Sequence, residues 1–122
     1  MSARRMLSDA ERVWNRACPG EETPGLRDGD LALAAMLLVD GYIQNGGVTH
    51  AFDLPPNELA AGIRGYEYFG LHELVAVIKP HRGEEEADYN RRYYRPVNEG
   101  NVIFAKFEAM YRDHPERFAP LT

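Results

Sequence analysis

Four histidines, His50, His72, His81 and His114, and a single cysteine, Cys18, are the side chains best suited to metal ligation or nucleophilic chemistry. Their spacing works against both. His72-Glu73 opens like a zinc-protease helix, where a second histidine four residues on supplies the next ligand. Here that position is Ala76. Cys18 precedes Pro19-Gly20 with no histidine nearby. It falls at a predicted helix end, and a helix C-terminus offers no positive pole to activate a thiol. Gly46-Gly47 lacks the following Lys-Ser/Thr of a phosphate-cradling loop, and no strand precedes it. Catalytic residues, metal ligands and cofactors are therefore all assigned as none.

Asp40 and Gln44 lie four residues apart in an apolar run, so on a helix they share a face. A carboxylate there is expensive unless it is paired. One reading is a structural hydrogen-bonded pair. The other is a polar pocket built from Asp40, Gln44, Asn45 and His50, serving a small ligand or an enzyme's substrate. A lone carboxylate with no identified acid partner specifies no reaction.

Two charge blocks follow one another. Glu84, Glu85, Glu86 and Asp88 form an acidic cluster, either a solvated helix start or a patch that steers a basic partner. Arg91, Arg92 and Arg95 then alternate with Tyr89, Tyr93 and Tyr94. That pattern resembles a nucleic-acid stripe, but acids one or two helical turns earlier partly neutralise it. Buried tyrosines with exposed arginines are the simpler account, and direct nucleic-acid binding is not expected.

The elements that must position these residues read as helices. Ser8-Asp-Ala-Glu11 is a capping-box pattern, followed by a helix over about Asp9 to Ala17 with Val13, Trp14 and Ala17 on one stripe. Pro24 and Gly25 punctuate a polar loop. Asp30 is placed to cap a long helix reaching about Gln44. On it Leu31, Ala34, Leu37, Leu38, Gly41 and Tyr42 follow helical spacing, while Leu33, Ala35, Met36 and Val39 widen the apolar surface. Such a helix is buried on several sides.

Asn45-Gly46-Gly47 then stops it. Asn-Gly between apolar runs is also a hairpin signal, but the preceding Ala and Leu favour helix, and no further strand is found to support a hairpin. A helical turn over Val48 to Phe52 is expected next. Asn57 is the predicted cap of a helix over Glu58 to Tyr68, where Gly62 and Gly65 point to close packing. Leu71 to Lys79 forms another helix, ended by Pro80. Arg82 to Asp88 is a charged connection, Pro96 closes the basic-aromatic segment, and a last helix spans Val102 to Arg112. Phe118 anchors the terminal turn.

The 122 residues fit one domain, 1–122. The hydrophobic fraction of 44% and charged fraction of 27% are ordinary for a soluble globular chain. The net charge of −5 argues against a nucleic-acid-binding field. One cysteine rules out an internal disulfide, and no secretion signal or membrane-spanning run is read, which points to the cytoplasm. The expected fold is all-α, a single compact domain of about six helices around a buried central helix.

Asp40-Gly-Tyr-Ile-Gln-Asn45-Gly46-Gly47-Val-Thr-His50-Ala-Phe52 resembles the signature of a bacterial domain family of unknown function named for a DNA-mimic protein. Leu59-Ala-Ala-Gly62-Ile, Tyr68-Phe-Gly-Leu71-His-Glu-Leu74 and the late Pro-Glu-Arg-Phe118 are similar to its later segments. This chain has Val48 and His50-Ala51 where the family often has other residues. The resemblance implies an all-helical, non-enzymatic protein-interaction module, presenting acidic groups to a basic or DNA-binding partner. On that reading Glu84, Glu85, Glu86 and Asp88 face the partner, and Asn45, Gly46 and Gly47 are a structural motif. The partner is another protein, with a homodimer left open.

Overall fold

Ser8 opens the first helix as its pattern predicts. Its Oγ accepts from the Glu11 amide at 3.1 Å, and the Glu11 carboxylate accepts from the Ser8 amide at 3.2 Å. The computed structural model describes residues 6–18, 24–78 and 85–121. They form an all-α domain with no strand among them: α1 (Asp9–Ala17), α2 (Asp28–Gly46), α3 (Pro56–Tyr68), α4 (His72–Val77), α5 (Glu86–Tyr94) and α6 (Val102–Asp113). Short 3-10 turns run over Val48–Asp53 and Pro115–Arg117, and a π turn over Arg95–Glu99. The hairpin alternative at Asn45-Gly46 does not occur; both residues are helical.

The central helix is α2, packed against α1, α3 and the first 3-10 turn. Its buried side is Leu33, Met36, Leu37, Val39 and Ile43. Of the stripe expected from spacing only Leu37 is buried: Leu31 is 55% exposed, Gly41 is exposed, and Ala34, Leu38 and Tyr42 are half-buried. The cause lies in α3. A Cβ on Gly62 would sit 2.1 Å from Val39 Cγ2, and one on Gly65 2.5 Å from the Ala32 carbonyl oxygen. Two bare glycines let the helix backbones approach, and that crossing selects the face α2 turns inward.

Helix ends correct other expectations. Asp30 is not the cap of α2. Arg27 occupies the cap, and Asp30 reaches back from the third helical position to accept its amide at 3.0 Å. Asn57 does not cap α3 either; Pro55 precedes the helix and Pro56 fills its first position, where the missing N–H is no loss. The far end of α3 is a Schellman closure. The Leu71 amide donates to the Tyr66 carbonyl at 2.9 Å and the Gly70 amide to Glu67 at 3.0 Å, with Gly70 at φ 74°. α4 is shorter than expected at both ends: Leu71 is its cap and it ends at Val77, with Ile78 already out of helical conformation; Lys79 and Pro80 lie outside the described residues. Pro96 does not close its segment. The helical path widens around it, with the Gly100 amide donating five residues back to Arg95 at 3.1 Å. The ring lacks an N–H for the α-helical ladder. Asn101, at φ 50°, starts α6.

The core is strongly aromatic. Phe69, Phe107 and Phe118 are all but fully buried, and the Phe107 and Phe118 rings meet edge to face at 5.6 Å. Phe118 anchors the terminal turn as expected. Behind it, Asp30 is 1% exposed and holds three partners: Arg16 at 2.6 Å, the Arg27 amide, and the Ala119 amide at 2.7 Å. Arg16 also donates to the Ala119 carbonyl at 3.1 Å. A desolvated carboxylate is tolerable only with such full satisfaction. It fastens the last described segment to α1 and α2.

Candidate functional site

Asp40 sits on the edge of α2, where α5 and the π turn lie alongside. Its Oδ1 accepts from the Tyr93 hydroxyl at 2.7 Å and from Gln44 Nε2 at 3.2 Å. Tyr93 in turn meets the Tyr66 hydroxyl at 2.5 Å. Since the Tyr93 proton points to the carboxylate, Tyr66 donates to Tyr93. Gln44 continues outward to Asn98 Oδ1 at 2.8 Å. A chain of five side chains thus runs from α3 through α5 and α2 to the surface of the π turn.

Tyr66 and Tyr93 are buried. Burial is the main cause that pushes both phenols far above the ordinary tyrosine range, and the nearby Asp40 charge pushes the same way. Both therefore stay protonated wherever the fold persists. The relay orders the interior, and its inner end is closed to solvent.

Asn45, Gly46 and Gly47 end α2 as the sequence implied, with the helix running through Gly46. Gly47 takes φ 90°, and its amide donates to the Ile43 carbonyl at 2.8 Å. The Asn90 Oδ1 of α5 accepts from the Val48 amide at 2.9 Å. A side chain on Gly47 would crowd Asn90 at 3.0 Å. The motif is a docking point between α2 and α5.

Asp40 and His50 do not come together. Asp40 is turned to Tyr93 and Gln44, whereas His50 Nδ1 lies 2.8 Å from the Tyr42 carbonyl and its ring stacks on Tyr42 with centroids 5.0 Å apart. Asn45 and His50 share a hollow of about 490 Å³ with Leu37, Leu38, Gly41 and Tyr42; neither Asp40 nor Gln44 lines it. The expected pocket is thus two separate places on opposite flanks of one helix end. The reason is the helical angle: positions 40 and 44 share a side that positions 42 and 45 do not.

Glu85, Glu86 and Asp88 are exposed at the start of α5, and Glu84 lies outside the described residues. Asp88 pairs with Arg91 at 2.9 Å. Arg91, Arg92 and Arg95 are exposed, while Tyr89 and Tyr93 are buried. Cys18 is exposed, with its Sγ 3.6 Å from the Trp14 carbonyl. Among the described residues no group of three or more His, Cys, Asp and Glu is placed to hold a metal ion, and no helix is long and apolar enough to cross a membrane.

The arginines gain a setting that sequence spacing did not show. With α4 and α6 they enclose a groove of about 940 Å³. Leu71, Leu74 and Val77 of the α4 segment, Pro96 of the π turn and Val102 of α6 give it an apolar floor. Arg91, Arg92, Arg95 and Lys106 stand on it together with two carboxylates, Glu73 and Asp88. The only sequence signal was the amphipathic spacing of Arg91, Arg92 and Arg95. Lys106 and the α4 wall are brought in by the fold.

Comparison of the chain with protein-family models, with curated proteins and with solved structures finds no match.

Proposed function

We propose that this chain is a non-catalytic binding module of a reducing compartment such as the cytoplasm, and that it takes its ligand through the groove between α4, α5 and α6. One observation carries this reading. In a chain of net charge −5, the groove sets four cationic side chains against two carboxylates over an apolar floor. Concave apolar surfaces with a few placed polar groups are the usual seats of ligands. The other polar assemblies are occupied internally: the tyrosine pair with Asp40, and His50 with a backbone carbonyl.

A second reading keeps the acidic surface and a basic or DNA-binding partner protein. It is favoured by the exposure of Glu85, Glu86 and Asp88 together at the start of α5. Affinity capture with quantitative mass spectrometry of both the proteins and the small molecules retained separates the two. Double reversal at Arg91→Glu and Arg95→Glu is expected to abolish capture, while Glu85→Lys with Glu86→Lys leaves it intact. The opposite pattern moves the partner to the acidic surface. Capture unchanged by either pair defeats both readings.

A further inference from the structure

The groove's dimensions and charge narrow what it takes. Its α4 wall is six residues, about 9 Å of helix. A docked partner helix gripping through positions i, i+4 and i+7 needs roughly 10.5 Å between its outer anchors. The α4 wall alone falls about one residue short of that span, and a compact ligand fits along it. The volume of about 940 Å³ lies within the range of small-molecule sites, roughly 300 to 1,000 Å³.

The electrostatics lean one way, four cations to two carboxylates. Asp88 is engaged by Arg91 at 2.9 Å, and Glu73 stands on the α4 wall. Arg95 and Lys106 form no ion pair among the described residues, yet both border the apolar floor. Leu71 and Val77 are nearly fully buried and Val102 half-buried, so a ligand that lays hydrocarbon over their remaining surface while bringing a negative group to Arg95 and Lys106 satisfies both features. A cationic or neutral amphiphile leaves the two cations unanswered.

We propose that the groove binds a small amphipathic anion: an apolar body of acyl-chain or fused-ring size carrying one carboxylate or phosphate head. The body lies on the floor between α4 and α6, and the head is held at the Arg95 and Lys106 edge. This rests on the reading of the groove as the binding face.

The test uses the full chain, followed by amide-resolved NMR and calorimetry below the micelle concentration of each probe. Sodium decanoate and decyl phosphate supply the two heads, decyltrimethylammonium the same tail with opposite charge, and butyrate the head with little tail. Decanoate or decyl phosphate is expected to shift the amides of Leu71, Val77, Val102 and Lys106, and whichever binds tighter names the head. Butyrate is expected to leave them unmoved. Arg95→Gln with Lys106→Gln is expected to weaken binding at least about tenfold, as loss of charge-assisted hydrogen bonds does. Glu108→Gln, outside the groove, serves as the control and leaves affinity unchanged. Equal binding of the cationic tail, or full affinity in the double variant, overturns the anionic ligand while the groove stands. If no probe moves the groove amides, or the shifts fall on Asn45 and His50 instead, the groove itself fails as the binding face.

Discussion

Tyr93 is the residue on which the interior's polar order turns. It donates a hydrogen bond to Asp40 at 2.7 Å and accepts one from Tyr66. Tyr93→Phe leaves the Tyr66 hydroxyl buried without its acceptor and removes a hydroxyl from Asp40. The expected loss is about 1 to 3 kcal/mol in urea unfolding at neutral pH. The same pair sets an alkaline limit. The folded state keeps both protons where the unfolded chain releases them near pH 10, so the pair's contribution is fully present below that pH. It falls as pH rises further, by up to about 2.7 kcal/mol per unit for two phenols. Absorbance titration should show the Tyr66 and Tyr93 phenols ionising only as the fold is lost, and Tyr66→Phe with Tyr93→Phe should flatten the alkaline decline. No fewer late-ionising phenols in the double variant than in the parent would show that the resistant groups lie elsewhere. None of this pairing was legible in the sequence. Asp40 and Gln44 could be read as a pair because one helix sets their spacing; Tyr66 and Tyr93 meet only through tertiary packing.

Among the elements, the α2–α3 crossing decides most. Gly62→Ala drives a methyl to within 2.1 Å of Val39 Cγ2, and an expected 1 to 3 kcal/mol of stability, roughly the cost of overpacking, is lost. Gly41→Ala, in α2 with nothing within 4 Å of the new methyl, should instead gain about 0.5 to 1 kcal/mol from helix propensity. Chemical denaturation of both variants checks the contrast, and a stabilising Gly62→Ala would mean that the two helices do not cross so closely. Here sequence reading went far. The Ser8–Glu11 box, the helix stop at Gly47 and the closeness of Gly62 and Gly65 all follow from local chemistry. It failed where local chemistry is ambiguous. An almost uniformly apolar α2 has no preferred inward side until α3 supplies one. Pro96 reads as a stop because a π turn is rarely the answer to a missing N–H.

At the scale of the whole molecule, one carboxylate, Asp30, joins the beginning of the fold to its last described segment. Asp30 and Arg16 are largely shielded, with side-chain exposures of 2% and 16%, and Ala119 completes the carboxylate. Asp30→Ala strands the guanidinium and the amide together, and roughly 3 to 5 kcal/mol should vanish from the unfolding free energy. Hydrogen exchange is expected to speed up at Ala119 and along the first turn of α2 alike. Acceleration confined to one of them would separate the two ends. The groove belongs to this scale too. Its cations come from α5, the π turn and α6, and its floor from α4 to α6, so a linear reading sees three arginines and misses the cavity they border.

The Asp30 clasp also bears on the order of synthesis. A nascent chain that has emerged only as far as α5 already carries Asp30 and Arg16, but not the Ala119 amide or the Phe118 ring. Its first two helices hold an incompletely satisfied carboxylate over a core with a missing aromatic wedge. Vectorial emergence from the ribosome therefore leaves the N-terminal half provisional, and cooperative closure waits for residues 118 and 119.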